Sequence, residues 1–318
     1  MGILLAKYLA KRSQTGSPLT KQEFLKHFIS AQKLPNSYIE TAEKWFLPLI
    51  EELAQKQKTN NKQLVIGING AQGSGKSTVS DLIVEALEKL HKLKACTLSI
   101  DDFYLTKAER HELAKTVHPM LETRGVPGTH DVELALDVLE TLKQQKPLKL
   151  PRFHKALDDR APECDFTPVD GTVDVVILEG WCVGAVPQQA EALEPAVNTL
   201  EANEDADGLW RKFVNKNLSE SYQTLFSKLD VLIMLKAPSF DCVYNWRVEQ
   251  ETRLRAKLES EGKSTTALMD AAQIERFIQF YQRLTDHLIA TLPEHSDYVF
   301  EMDSERKIHS EIRKNTNG

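Results

Sequence analysis

The sequence predicts a three-layer α/β/α fold built on a parallel sheet, and two observations predict it. The first is a series of short apolar runs separated by longer stretches of helical periodicity. Residues 64–68, 95–100, 173–178, 231–235 and 298–302 read as strands, with helices expected over 77–93, 240–260 and 271–292. Continuous apolar runs belong to strands buried on both faces, and strands alternating with helices give a parallel sheet covered on both sides. The second is a glycine-rich loop, Gly70-Ala71-Gln72-Gly73-Ser74-Gly75-Lys76-Ser77, lying between the first strand and the helix after it. Ligands of such sheets sit at the carboxyl ends of the strands, which is where this loop falls.

The chain of 318 residues is 41% hydrophobic and 27% charged, enough to bury a large core. Its net charge of −6, with no basic run, argues against nucleic acid or an anionic membrane as partner. No stretch approaches membrane-spanning length. Cys96, Cys164, Cys182 and Cys242 are scattered without a Cys-x-x-Cys pair, which reads as reduced thiols of a cytoplasmic protein.

Residues 1–62 read as a helical extension ahead of a main domain over 63–318. Leu4, Leu5, Tyr8 and Leu9 repeat at helical spacing, as do Phe24, Leu25, Phe28 and Ile29. Ser37 with Glu40 predicts a capping box, Pro48 a restart or kink, and the polar segment from Lys56 to Lys62 a linker. Residues 191–207 are acidic and read as a solvated excursion. The extension itself carries no recognisable nucleotide chemistry.

The glycine-rich loop meets the pattern GxxxxGK[ST] through Gly70, Gly75, Lys76 and Ser77. Its glycines let the backbone curl around phosphate, and its N–H groups, with Thr78 opening the helix, point inward at a positive helix end. Lys76 is expected on the β- and γ-phosphates of ATP and the Ser77 hydroxyl on Mg²⁺. Two acidic strand ends complete the pattern. Asp101-Asp102-Phe103-Tyr104 follows the second strand, where a carboxylate can orient an acceptor hydroxyl and take its proton. Asp102 reads equally as a helix cap. The third strand ends in Glu179-Gly180, an acid placed to hold Mg²⁺. The guanine-reading Asn-Lys-x-Asp is missing: Asn215-Lys216-Asn217-Leu218 lacks the Asp.

Taken together, these sites resemble the phosphoribulokinase, uridine kinase and pantothenate kinase superfamily, and more closely its D-glycerate 3-kinase-like P-loop kinases. The resemblance is carried by Ile100-Asp101-Asp102-Phe103-Tyr104-Leu105-Thr106, Arg124-Gly125-Val126-Pro127-Gly128-Thr129-His130-Asp131, Leu150-Pro151-Arg152-Phe153, Leu178-Glu179-Gly180-Trp181 and Ala237-Pro238-Ser239-Phe240. It implies a five-stranded parallel sheet of order 2-3-1-4-5, a helical lid, Asp101 as catalytic base and Glu179 as the metal-side acid. It also implies ATP-dependent phosphorylation of a small hydroxy acid such as D-glycerate. Relatives usually carry Asp after Pro-Arg-Phe/Tyr, where this chain has His154.

An anionic hydroxylated acceptor needs a fixed cation; Arg124, Arg152, Lys155 and Arg160 are the candidates, of which Arg124 and Arg152 lie inside the matched segments and Lys155 and Arg160 read equally as solvated loop residues. Tyr104, His130 and Asp131 are further acceptor-side candidates, with helix capping the alternative for Asp131 and loop packing for His130. Arg247 and Arg255 are candidate lid arginines, although both sit in ladders of alternating charge that suit a solvated helix. A kinase of another acceptor, or a nucleotide-dependent module that transfers nothing, also fits the residues. Oligomeric state is not legible.

Overall fold

The computed structural model describes residues 19–262 and 269–314; the helix expected around Leu4 to Leu9 lies outside them. The central sheet is formed by β1 (Leu64–Gly70), β2 (Ala95–Ser99), β3 (Val175–Gly180), β4 (Val231–Lys236), β5 (Tyr298–Met302) and β6 (Ile308–Arg313). Their order is β2-β3-β1-β4-β5-β6. The first five are parallel and follow the expected 2-3-1-4-5 order. The sixth is an addition to the expected sheet, antiparallel to β5 at the edge. Its charged residues His309, Glu311 and Arg313 mask the alternation, and charge on an edge strand is how sheets resist further pairing.

Side-chain alternation sorts the strands between two cores. Ile66, Ile68, Ile177 and Ile233 point into one cluster with Leu82 and Ile83 of α3 (Lys76–Ala86). Val176, Leu178 and Met234 point into the other, with Leu139 of α5 (Val132–Lys143) and Leu284 and Leu288 of α9 (Ala271–His295). Helices therefore cover both faces, as the apolar strands require.

The N-terminal helices join the first of these cores. In α1 (Lys21–Gln32), capped by Thr20 and Glu23, Phe24, Leu25, Phe28 and Ile29 are buried beside the sheet. Two sequence expectations are corrected here, and the restart expected at Pro48 is observed. Ser37 has helical backbone angles and makes no cap bond, so the capping box at Ser37 and Glu40 does not form. A π-helical stretch, Ala42–Phe46, runs into α2 (Leu47–Asn60), whose opening turn carries Pro48. The expected linker from Lys56 to Lys62 is instead mostly helix, since α2 continues to Asn60 and buries Gln57. Its Lys and Gln residues are good helix formers, so polarity alone misleads.

The acidic stretch 191–207 is solvated at Glu191, Glu194, Glu204 and Asp207, as expected, but two of its acids are buried. Glu201 and Asp205 are 0% and 1% exposed. Glu201 accepts from Arg283 of α9, Nε to Oε1 at 2.7 Å and Nη2 to Oε2 at 2.6 Å. Asp205 accepts from Trp210 N at 2.7 Å and Arg211 Nη1 at 2.9 Å, fastening α6 (Thr199–Glu204) to α7 (Leu209–Asn217). The partners are distant in sequence, so composition shows the acids but not the arginines that neutralise them.

Candidate active site

Parallel register brings the motifs to one edge of the sheet. Glu179 lies opposite Ile68 on one side and Ser99 on the other, at the ends of three adjacent strands. Asn69, which the sequence did not single out, ties the loops together by donating to Trp181 O at 3.0 Å and Val183 O at 2.8 Å.

On the phosphate side, β1 runs directly into the loop and α3 begins at Lys76. Gly73 has φ +80° and Gly75 φ +90°, the left-handed region that favours glycine. A Cβ on Gly73 would also lie 2.8 Å from the Cβ of Trp246, in the lid helix α8 (Phe240–Ser260). Lys76 Nζ is 3.9 Å from Glu179 Oε2, and Ser77 Oγ is 3.4 Å from Glu179 Oε1. Glu179 is 5% exposed, yet among the described residues its Oε2 has no hydrogen-bond partner, and neither has Ser74 Oγ nor Gln72 Oε1. Buried polar atoms are normally satisfied. A buried carboxylate oxygen beside a hydroxyl is a hard-oxygen donor set, so these residues fit a Mg²⁺ ion.

A cleft of about 740 Å³ opens from this loop. Pro35, Tyr38 and Phe46 of the N-terminal helices line its far wall, so residues that carried no nucleotide motif border the phosphate loop. Arg306, in the turn between β5 and β6, donates from Nε to Gly73 O at 2.7 Å, stacks 5.2 Å from the Trp246 ring and pairs with Glu249. Nothing in its local sequence marks it, because its partner loop is 233 positions away. From α8 the cleft receives Trp246, Glu249 and Gln250. Arg247 pairs with Glu251 at 2.8 Å, and Arg255 donates to Met269 O at 3.3 Å. The two lid candidates therefore brace the lid in this structure.

The acceptor side is assembled from separate segments. Asp101 sits in a 3-10 turn, Ile100–Phe103, after β2. Tyr104 donates to its Oδ1 at 3.0 Å and Lys155 to its Oδ2 at 2.6 Å. Burial works to raise the Asp101 carboxyl, but Lys155, then Lys76, outweigh it and hold the pKa at about 2. Lys155 lies in a hairpin of residues 153–160. Arg124 reaches the same hairpin, pairing with Asp158 and lying 5.3 Å from the Phe153 ring. Arg110 of α4 (Lys107–Thr116), buried and unmarked by the sequence, ties the hairpin to the turn after β2 through Leu105 O at 2.6 Å and Asp158 O at 2.8 Å.

Other candidates have structural partners. Asp102 accepts from Arg152 Nη1 at 2.8 Å and from Phe153 N at 3.1 Å, anchoring the hairpin rather than capping a helix. Asp131 caps α5 through Leu134 N at 3.0 Å and pairs with Arg160 at 2.9 Å. His130 stacks on Tyr104 with ring centres 4.4 Å apart. His154, the departure from the family pattern, lies 3.4 Å from Asp165 on the side of the hairpin opposite the buried Phe153.

The comparisons with known proteins agree with this geometry. Residues 65–197 match the phosphoribulokinase / uridine kinase family. The chain is 34% identical over 220 residues to the uncharacterized kinase mug58 of Schizosaccharomyces pombe, covering 66% of this chain and 78% of that one. The chain belongs to the phosphoribulokinase / uridine kinase family. It is an ATP-dependent small-molecule kinase, as the family and its kinase-named members imply. It is also 32% identical over 257 residues to the chloroplastic D-glycerate 3-kinase of Arabidopsis thaliana, covering 76% of this chain and 53% of that longer protein. Among solved structures, D-glycerate 3-kinase from Cryptococcus neoformans var. grubii matches with TM-score 0.67 and 26% identity, covering 84% of this chain and 99% of that one. Family members use ATP and typically Mg²⁺. No helix among the described residues is long and apolar enough to cross a membrane.

Proposed function

We propose that this kinase transfers the γ-phosphate of ATP to a hydroxyl of a small hydroxy acid, D-glycerate to 3-phosphoglycerate being the leading assignment. The observation that carries the reading is the pair of cations beside Asp101: Lys155 touches the carboxylate at 2.6 Å, and Arg124, paired with Asp158, lies against the hairpin that carries Lys155. A cationic flank beside a base selects an acceptor that is itself anionic. The names of the Arabidopsis and Cryptococcus relatives support the same acceptor.

The proposed roles follow from the chemistry of each group. Loop amides from Gly70 to Thr78 cradle the phosphates, and Lys76 offsets charge on the group being transferred. Ser77 and Glu179 hold Mg²⁺, which would supply further neutralisation of the phosphate oxygens. Asp101 orients the acceptor hydroxyl. A carboxylate held near pKa 2 is a weak base; it suits a loose transition state in which the proton leaves late. Lys155 must share or release Asp101 when the acceptor arrives, and its exposed position allows that. Arg124, held by Asp158, reaches the acceptor carboxylate only by sharing that contact, while Arg152 acts through Asp102.

The test is ADP release with ATP, Mg²⁺ and a panel of hydroxylated acceptors. Turnover dependent on glycerate supports the assignment. Turnover only with a nucleoside or a pantothenate-like compound would replace the acceptor. Nucleotide binding without acceptor-dependent turnover would overturn the transfer reading.

A further inference from the structure

Beneath the acceptor side lies a buried chain of polar groups that the roles above leave partly unused. Tyr222 is 0% exposed. Its oxygen accepts from Gly128 N at 3.0 Å and lies 2.6 Å from His130 Nδ1. A phenolic hydroxyl has one proton and two lone pairs. Gly128 N–H occupies one lone pair. Were Nδ1 protonated, it would occupy the other, and the phenolic hydrogen would be left buried without an acceptor. The alternative leaves fewer groups unmet: Tyr222 O–H donates to Nδ1, the proton of the neutral ring resides on Nε2, and that N–H alone still lacks an acceptor. Burial keeps the ring neutral, with a pKa of about 4.

The Nε2 atom is itself buried and has no hydrogen-bond partner among the described residues, and the His130 residue is 6% exposed. A buried N–H without an acceptor costs free energy, so this one is waiting for an oxygen. Its surroundings indicate which. Tyr104 stacks on the ring and donates to Asp101, and the charge of Asp101 is felt at His130. The donor and the acceptor-orienting carboxylate are therefore linked through the one side chain of Tyr104. A second carboxylate at Nε2 would be repelled by ionised Asp101, whereas a neutral hydroxyl would not. The anionic end of an acceptor finds Lys155 and Arg124 on the hairpin instead.

We propose that Tyr222 is a positioning residue that fixes the His130 tautomer, so that Nε2–H donates to a second hydroxyl of the acceptor and selects a dihydroxy acid over a monohydroxy one. This rests on the hydroxy-acid reading above and adds the group that distinguishes the two classes.

The test compares D-glycerate with 3-hydroxypropionate, which lacks the second hydroxyl. Sites built to bond a hydroxyl reject the analogue without it strongly, so the wild-type kcat/KM ratio is expected to be about 10³ or more. His130→Phe should collapse that ratio toward about 10, the scale of a lost non-specific contact. His130→Gln, which retains an N–H near Nε2, should recover much of it. Tyr222→Phe should raise the KM for D-glycerate about tenfold, the scale of one lost hydrogen bond, with the KM for ATP within about twofold. Nitrogen NMR of the ring should show Nδ1 unprotonated and Nε2 protonated, with the Nε2 signal moved by D-glycerate and not by ADP. Equal use of the two acceptors, a protonated Nδ1, or an Nε2 signal unmoved by D-glycerate would overturn the proposal. Failure of every hydroxy acid in the turnover assay would instead sink the acceptor assignment, while the ring spectrum still decides the tautomer.

Discussion

On the phosphate side of the crevice, consecutive residues from Gly70 to Ser77 form the loop, and buried polar atoms in and beside it are left open: Ser74 Oγ, Gln72 Oε1 and Glu179 Oε2 have no hydrogen-bond partner among the described residues. On the acceptor side, the turn after β2, the segment 124–131, the hairpin 153–160 and Tyr222 all contribute, and most of their side chains are already paired with one another. Backbone amides at a helix N-terminus can recognise phosphate in any NTP-binding chain, so a local motif suffices. An acceptor is recognised by side chains held at fixed distances, and those distances exist only once the segments have packed.

If that contrast is right, damage on the phosphate side should affect every acceptor alike. Lys76→Met is expected to lower kcat by about 10³-fold with all acceptors, the scale of a lost charge-stabilising donor; an acceptor-dependent loss would break the contrast. The acceptor side should carry the acid sensitivity. The unfolded His130 ring takes its proton near pH 6.5 and the folded ring only near 4. Between these values the unfolded state holds more protons, so stability should fall by about 3 kcal/mol as pH drops from 6.5 to 4. Urea unfolding of wild type and His130→Phe across that range checks it, and equal slopes would remove His130 as the cause.

Asp101→Asn should cut kcat at least about a hundredfold, the scale of a lost general base, while ATP binding measured by calorimetry is retained. Near-normal turnover would mean that Asp101 is not the orienting group. Glu179→Gln should raise the Mg²⁺ concentration for half-maximal turnover about tenfold, again whatever the acceptor. A shift seen with only one acceptor would move Glu179 to the other side of the crevice.

The same division describes what could be read from the chain. Sequence alone determined the strands, the order of the parallel five through family resemblance, the phosphate loop, and the strand-end acids Asp101 and Glu179. Each rests on contiguous residues whose periodicity or spacing reflects backbone geometry. Tertiary structure decided the rest. It made residues 56–60 helix, added β6, and folded the acidic stretch 191–207 onto Arg211 and Arg283. It set Asp102 on Arg152, turned Arg247 and Arg255 into braces, and brought Arg306 to Gly73 from the far end of the chain. For the charged side chains the physical reason is distance along the chain: Arg152, Arg283 and Arg306 are defined by partners too far away in sequence for spacing to reveal them, whereas the Arg247–Glu251 pair, one helical turn apart, was legible as part of a charge ladder.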